Sequence, residues 1–166
     1  MAETERVNHP LAPVYDAGSR VLILGTMPSP VSRRAGFYYM HPQNRFWKVL
    51  CTVLNEPLPV DAEGRQALLL RRGIALWDTL ASCEIEGAAD SAIKRPVPND
   101  FGPIFETAAL RAVFTTGKKA HQLYTKYCAE TCGMPALLLP SSSPANCAMK
   151  FDALCDAYRA ILPYLD

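Results

Sequence analysis

The chain has 166 residues, of which 49% are hydrophobic and 20% charged, which is typical of one compact domain and excludes a fibrous or wholly disordered protein. Its 17 basic and 16 acidic side chains give a net charge of +1, so only a local patch could attract a polyanion. No apolar run approaches the roughly 20 residues of a membrane span, and the polar start at residues 1–8 lacks the apolar core of a secretion signal. We therefore expect a cytoplasmic protein.

Four short aliphatic runs predict the strands of a buried sheet. In chain order they lie at residues 21–24, 74–77, 112–115 and 136–139. Each is an unbroken apolar segment followed by a polar or Gly- or Pro-bearing stretch, which is the pattern of a strand buried on both faces.

Helical spacing of apolar side chains fills the segments between these strands. The predicted helices lie at Phe46–Leu54, before Gly73, after an Asn99–Asp100 cap, after Gly117 and at Phe151–Ile161. Strands that alternate with helices predict an α/β fold, a three-layer α/β/α sandwich with a central, mainly parallel four-stranded sheet. We expect one domain over residues 1–166, with residues 1–19 as an N-terminal extension.

Ligands of such folds bind outside the carboxyl ends of the parallel strands, so the segments that follow the four strands should meet in one cleft. These segments are residues 26–29 with 37–44, Asp78, residues 116–119 and residues 140–146. They supply clustered aromatic rings, an amide, a carboxylate, hydroxyl groups and a basic pair. Such groups are the ones that hold an unstacked nucleobase.

Motifs of several other enzyme classes are missing from the sequence. There is no GxGxxG or GxxxxGK[ST] loop for nucleotide phosphates, no GxSxG around a serine and no HExxH metal site. The six cysteines form no CxxC pair. We therefore expect reduced thiols, no bound metal and no disulfides, although the cysteine count alone leaves an iron–sulfur protein as a third alternative.

Three segments resemble motifs of the uracil-DNA glycosylase superfamily. They are Gly25–Ser29 (GTMPS), Tyr39–Trp47 (YMHPQNRFW) and Ser142–Asn146 (SSPAN). The hypoxanthine (deoxyinosine) DNA glycosylase branch is the most similar one, because the middle of the chain resembles it too. The middle segments are Gly73–Asp78 (GIALWD), Asp90–Ser91 and Pro98–Phe101.

The resemblance implies a monofunctional DNA glycosylase of base-excision repair. Such an enzyme flips a deaminated base into a pocket and hydrolyses its N-glycosidic bond without a cofactor. The implied substrates are hypoxanthine first and uracil second. The implied partner is DNA containing a damaged base, bound by a monomer that needs no membrane and no obligate protein partner.

The resemblance also implies which residues hold the base. Asn44 is the expected catalytic residue, whose amide contacts the water or the base, with an N-cap of the next helix as the alternative. Tyr39 is expected to stack on the flipped base, or else to be a core tyrosine. Asp78 suits the N1–H of hypoxanthine or the N3–H of uracil, with helix capping as the alternative. Gly25 and Thr26 would offer backbone groups to the base, unless they form a plain turn.

Two further segments are expected to contact DNA. The loop after the fourth strand resembles the element that enters the minor groove, and its alternative is a serine turn that caps the last helix. Its residues are Ser141, Ser142, Ser143, Pro144, Ala145 and Asn146. Lys118 and Lys119 open a predicted helix, where they would meet a phosphate or simply be a solvated pair.

Three positions depart from the superfamily pattern. Met27 stands where most members have an Asp or Asn that positions water, Ser141 replaces a histidine, and Ala145 replaces a wedge leucine. These departures favour the alternative function, a member that binds damaged or abasic DNA without turnover. Of the histidines, His41 is expected to be structural, and His9 and His121 carry no functional signal.

Overall fold

A computed structural model of the chain describes residues 5–85 and 93–165. The strands are β1 (Glu5–Asn8), β2 (Val21–Gly25), β3 (Ile74–Asp78), β4 (Leu80–Ile85), β5 (Lys94–Pro98), β6 (Ala112–Thr116) and β7 (Ala136–Leu139). The helices are α1 (Pro30–Ala35), α2 (Phe46–Leu54), α3 (Ala62–Arg71), α4 (Gly102–Thr107), α5 (Lys118–Tyr127), α6 (Ala129–Cys132) and α7 (Phe151–Tyr158). Two 3-10 turns follow, at Pro144–Asn146 and Arg159–Tyr164.

The central sheet has four parallel strands in the order β3-β2-β6-β7. These strands are the four predicted from the aliphatic runs. Because all four run in the same direction, their carboxyl ends lie along one edge of the sheet. The predicted α/β fold with a central parallel sheet is confirmed.

Alternate side chains of β2 face opposite layers of helices, as the pleat of a strand requires. Val21 and Ile23 belong to a core cluster with residues of α2, α3 and α7. Leu22 and Leu24 belong to a second cluster with residues of α4 and α5. The sheet is therefore the middle layer of a three-layer sandwich, as predicted.

The fourth strand differs from the prediction that each strand is buried on both faces. Leu137 is 44% exposed and Leu138 is 49% exposed. β7 is an edge strand that pairs only with β6, whereas the other edge strand, β3, is covered by the N-terminal segment through the bridge of Val14 to Leu76. The aliphatic pattern indicates a strand correctly but cannot distinguish an edge strand from a central one.

A smaller antiparallel sheet, in the order β1-β4-β5, was not predicted. Its strand β5 contains two prolines and β4–β5 pairing has register shifts, so the usual alternating pattern is weak. Within residues 1–19, β1 pairs with β4 and Val14 bridges to Leu76 of the central sheet. The described part of this segment is thus packed against the domain. The predicted motif Asp90–Ser91 lies outside the described residues.

The predicted helices are present as α2, α3, α4, α5 and α7, and the last one continues as a 3-10 turn that contains Pro163. All six cysteines are free thiols. Burial raises the pKa of Cys128 to about 11, so this thiol stays protonated at neutral pH. Within residues 5–85 and 93–165 there is neither a helix able to cross a membrane nor a group of three side chains suited to a metal ion.

Candidate active site

A cavity of about 1060 Å3 opens at the carboxyl edge of the parallel sheet, and segments that follow all four strands line it. Every residue predicted to bind the base or DNA lies on its wall. These residues are Gly25, Thr26, Tyr39, Asn44, Asp78, Lys118, Lys119, Ser141, Ser142, Ser143, Pro144, Ala145 and Asn146. The volume is ample for one everted nucleotide. The fold therefore brings together residues that are more than 100 positions apart, such as Gly25 and Asn146.

Asp78 ends β3 at the floor of the cavity, and only 5% of its side chain is exposed. Its Oδ2 is 2.8 Å from Nε2 of His9. Its Oδ1 lies so close above Gly25 that a Cβ added to this glycine would be 2.5 Å away. The helix-capping alternative for Asp78 is wrong, because its carboxylate contacts other strand ends. Gly25 is needed for this close approach, which any other residue would obstruct.

Tyr39 lies beside this carboxylate, with its hydroxyl 3.3 Å from Oγ1 of Thr116. Its ring is stacked on Phe46, with centroids 3.9 Å apart and an angle of 16° between the planes. One face of the Tyr39 ring is therefore covered, and a ligand could stack only on the other face. The backbone of Tyr39 has a φ of 55°, a strained conformation for a residue with a Cβ and one found often at functional sites. The neighbouring Tyr38 points elsewhere, since its hydroxyl donates to the Ala12 carbonyl.

Asn44 uses its two side-chain atoms differently. Its Oδ1 accepts hydrogen bonds from the Phe46 N–H, at 2.9 Å, and from the Ser142 hydroxyl, at 2.8 Å. The predicted N-cap alternative is met only in part: Asn44 satisfies the N–H of Phe46, the first residue of α2, but the N-cap position is Arg45, which has no side-chain cap. A carbonyl oxygen has two lone pairs, so Oδ1 is saturated and only the Nδ2 amide is left for a ligand.

Arg45 fixes the loop that follows β7. Its backbone N–H donates to the Ser142 carbonyl, and its guanidinium donates to the carbonyls of Asn146, at 2.9 Å, and Met149, at 2.5 Å. Within the loop, Ser143 Oγ accepts from the Ala145 N–H and so caps the 3-10 turn at Pro144–Asn146. The expectation that this serine turn caps the last helix is wrong, since α7 begins after Lys150 without a side-chain cap.

The basic pair lies at the rim of the cavity. Lys118 is exposed and Lys119 is half-buried, and both are in the first turn of α5. The preceding Gly117 has a φ of 91° and approaches Ser141, so the positive charges stand next to the serine loop. Lys118, Lys119 and the exposed Ala145 all line the same cavity.

Comparison with known proteins assigns the chain to a family. The family model described as the uracil DNA glycosylase superfamily matches residues 12–166. The chain belongs to the uracil DNA glycosylase superfamily. A protein of Methanosarcina barkeri named hypoxanthine DNA glycosylase is 35% identical over 136 residues, which cover 81% of this chain and 85% of the relative.

Two proteins of Methanosarcina acetivorans support the same assignment to the superfamily. One is named hypoxanthine DNA glycosylase and is 34% identical over 135 residues, which cover 80% of this chain and 84% of that protein. The other is a solution NMR structure of a protein provisionally assigned as a uracil DNA glycosylase. It aligns with a TM-score of 0.78 and 29% identity, covering 93% of this chain and 98% of the other.

The three departures from the superfamily pattern all line the cavity. Met27 is half-buried and packs against the apolar cluster of the smaller sheet. Ser141 is held within its own loop, where its Oγ accepts from the Ser143 N–H and its carbonyl accepts from Asn146. Ala145 is exposed at the loop, so its small side chain is presented to solvent.

Neither His9 nor Arg45 was predicted as a site residue, yet His9 contacts Asp78 and Arg45 contacts the serine loop. His9 pairs with Asp78 although it is 69 positions away, and no local pattern could reveal such a contact. Arg45 adjoins Asn44 within the predicted motif, so its position was a usable signal. Thr116 was predicted only as part of the segment after the third strand, and it reaches the Tyr39 hydroxyl.

Proposed function

We propose that this superfamily member is a monofunctional DNA glycosylase, which takes a deaminated base into the cavity and hydrolyses its N-glycosidic bond. The observation that carries the proposal is the convergence of Tyr39, Asn44 and Asp78 on one cavity at the carboxyl ends of the strands. The two relatives named hypoxanthine DNA glycosylases support the same reaction class. Hypoxanthine is the proposed first substrate and uracil the second.

Asp78 supports this choice of bases through hydrogen-bond chemistry. Its Oδ1 faces the floor at Gly25 and can accept one hydrogen bond from a ligand. Hypoxanthine has an N–H at N1 and uracil has one at N3. Adenine and cytosine, from which these bases arise by deamination, have a lone pair at the same ring positions. A carboxylate therefore attracts the deaminated bases and repels their parents.

Tyr39 and the turn after β2 complete the proposed base site. The face of the Tyr39 ring opposite Phe46 is the proposed stacking surface for the base. The Gly25 carbonyl already accepts from both the N–H and the hydroxyl of Thr79. Gly25 therefore offers no free carbonyl to the base, and its role is to let the Asp78 carboxylate lie close to the backbone. Thr26 forms the adjoining part of the cavity wall.

Asn44 is the proposed catalytic residue. Breaking the bond produces an oxocarbenium-like sugar and a base that departs with negative charge. The Asn44 Nδ2 amide can donate to an oxygen of the departing base or to the oxygen of the attacking water. It cannot serve as a general base, because a neutral carboxamide takes up no proton near neutral pH. The catalysis proposed here is thus positioning and electrostatic stabilisation without a cofactor.

The DNA contacts are proposed for the serine loop and the basic pair. Ser141 to Asn146 would enter the minor groove beside the everted nucleotide, and Lys118 and Lys119 would contact phosphates.

We also propose that the protein acts as a monomer in the cytoplasm, without an obligate protein partner. Sedimentation of the protein with and without a short duplex tests the oligomeric state.

The reaction is tested with duplexes that carry one deoxyinosine or one deoxyuridine. Each duplex is incubated with excess protein and then heated in alkali, which cleaves the strand at an abasic site. Scission at deoxyinosine, weaker scission at deoxyuridine and none in an undamaged duplex is the expected result. Absence of scission at both bases would refute the enzymatic proposal.

A second candidate function is binding to damaged or abasic DNA without turnover. Met27 favours it, because a thioether at this position cannot orient water as an Asp or Asn side chain does. The exposed Ala145 also offers little volume to fill the gap left by an everted base. Preferential retardation of an abasic duplex in a gel, together with no cleavage of any substrate, would select this candidate.

A further inference from the structure

His9 makes two hydrogen bonds that fix its ring and its tautomer. The Leu11 backbone N–H donates to Nδ1 at 3.2 Å, so Nδ1 acts as an acceptor and carries no proton. The proton of a neutral imidazole is then on Nε2, which lies 2.8 Å from Asp78 Oδ2. His9 is therefore the donor and Asp78 the acceptor in this contact.

His9 and Asp78 are both buried, and further contacts hold the His9 ring in place. The side chain of His9 is 2% exposed, and His9 does not line the cavity. Its backbone N–H donates to the Ala81 carbonyl at 2.7 Å, and its ring is 6.0 Å from that of Tyr38 and 6.2 Å from that of Trp77. The imidazole thus stands behind Asp78, on the side away from a bound base.

The donor behind Asp78 decides how Asp78 presents its acceptor to the cavity. Loss of the His9 donor would remove the contact that holds Oδ2 and would let the carboxyl group turn about its Cβ–Cγ bond. A carboxylate that turns no longer presents Oδ1 in one direction, so it would discriminate less well between the N1–H of hypoxanthine and the N1 lone pair of adenine. With His9 donating to Oδ2, the carboxylate is fixed and Oδ1 is the acceptor on the Gly25 side.

We infer that His9 is a specificity-determining positioning residue, which fixes Asp78 as an acceptor and thereby directs the cavity to bases with an N–H at the Watson–Crick ring nitrogen. The inference deepens the proposed glycosylase function and rests on it. It assigns the choice between hypoxanthine and adenine to a contact between the N-terminal segment and β3. His9 itself does not touch the base.

The test uses binding, so that it does not depend on turnover. Duplexes carry either the 2′-fluoroarabino analogue of deoxyinosine or that of deoxyadenosine, because the fluorine disfavours the oxocarbenium ion and blocks cleavage. Affinities of both duplexes are measured for the unaltered protein, His9→Leu and His9→Gln. Leucine removes the donor, whereas glutamine has an N–H that can restore it.

We expect the unaltered protein to bind the inosine duplex more tightly than the adenosine duplex. In His9→Leu the ratio of these two affinities should fall at least tenfold. In His9→Gln the ratio should return most of the way to that of the unaltered protein. A matched control is His121→Leu, which removes a histidine bonded to Thr115 at 2.9 Å, outside the cavity lining. The control should keep the preference. An unchanged preference in His9→Leu, or no preference in the unaltered protein, would overturn the inference.

Two further measurements separate the possible failures. Proton–nitrogen correlation spectra of the imidazole rings report the tautomer directly, and the Nε2–H form is expected for His9. A different tautomer would contradict the inference even if the preference changed. If the unaltered protein prefers inosine through His9 but cleaves neither deoxyinosine nor deoxyuridine, the inference stands in its binding form and the proposed catalytic function fails.

Discussion

Asn44 shows how one side chain serves the fold and the proposed reaction with different atoms. Its Oδ1 accepts from the first N–H of α2 and from the Ser142 hydroxyl, whereas its Nδ2 remains for the ligand. Truncation of such a residue changes stability and activity together. A replacement that keeps the oxygen and removes only the amide separates the two effects.

We predict that Asn44→Asp lowers turnover on deoxyinosine by roughly a hundredfold or more, the size expected for loss of a preorganised donor. The carboxylate still accepts from Phe46 and Ser142, so the unfolding temperature should change little. Asn44→Ala should lose the same activity and also about 1 kcal/mol of stability, because it removes the oxygen that accepts from Phe46 and Ser142. Single-turnover rates and thermal unfolding measure the two effects. Full activity in both variants would move the catalytic role to another residue.

Asp78→Asn tests base recognition at the floor of the cavity. The loss of a hydrogen bond to a charged acceptor is worth about 2 kcal/mol, so excision of hypoxanthine should fall roughly thirtyfold. Affinity for an abasic duplex, which lacks the base, should be nearly unchanged. Cleavage rates on deoxyinosine and deoxyuridine duplexes and binding to an abasic duplex are measured together. An equal loss in all three would indicate a purely structural role.

At the scale of elements, the serine loop depends on the start of α2. Arg45 donates to two carbonyls of this loop, and Ser142 reaches back to Asn44. The loop is thus joined to the helix that covers the core, instead of standing alone at the end of β7. The same contacts connect the proposed catalytic amide with the surface that would enter DNA.

We predict that Arg45→Met loosens the loop while α2 remains folded. Faster amide hydrogen exchange at residues 141–149 and at least fivefold weaker binding to duplex DNA are expected, because two carbonyls lose their donors. The matched control is Lys48→Met, which removes an exposed charge from the same helix. If both variants weaken DNA binding equally, the effect of Arg45 is its charge and not its contacts with the loop.

At the scale of the whole molecule, a net charge of +1 gives no general attraction to DNA. The attraction to DNA must then come from local charge, and Lys118 and Lys119 lie on the cavity wall together with the serine loop. The N-terminus of α5 adds its partial positive charge at the same place. Binding should therefore depend on a few phosphate contacts.

We predict that replacing Lys118 and Lys119 together by glutamine weakens binding to damaged and undamaged duplexes alike. The slope of log affinity against log salt should fall by about 2, since each lysine that contacts a phosphate contributes about 1. Lys126→Gln, in the last turn of the same helix, is the control and should leave the slope unchanged. An unchanged slope in the double variant would show that Lys118 and Lys119 are solvated and do not contact phosphates.

The parallel sheet, its helices and the set of residues around the cavity could be predicted from the amino-acid sequence. This succeeded because aliphatic runs and helical spacing are local patterns, and because parallel strands bring their carboxyl ends to one edge. The short motifs then resembled a family, and the family model matches the same chain. The roles of Asn44, Tyr39 and Asp78 remain predictions.

The contacts between distant segments became visible only in the folded chain. The smaller sheet, the exposed edge at β7 and the pairing of His9 with Asp78 depend on which strands become neighbours, and no local pattern records that choice. A lone histidine in a polar N-terminal segment carries no signal until β1 pairs with β4 and places it behind a buried carboxylate. Burial then gives the contact its strength, because a charged group removed from water requires a partner.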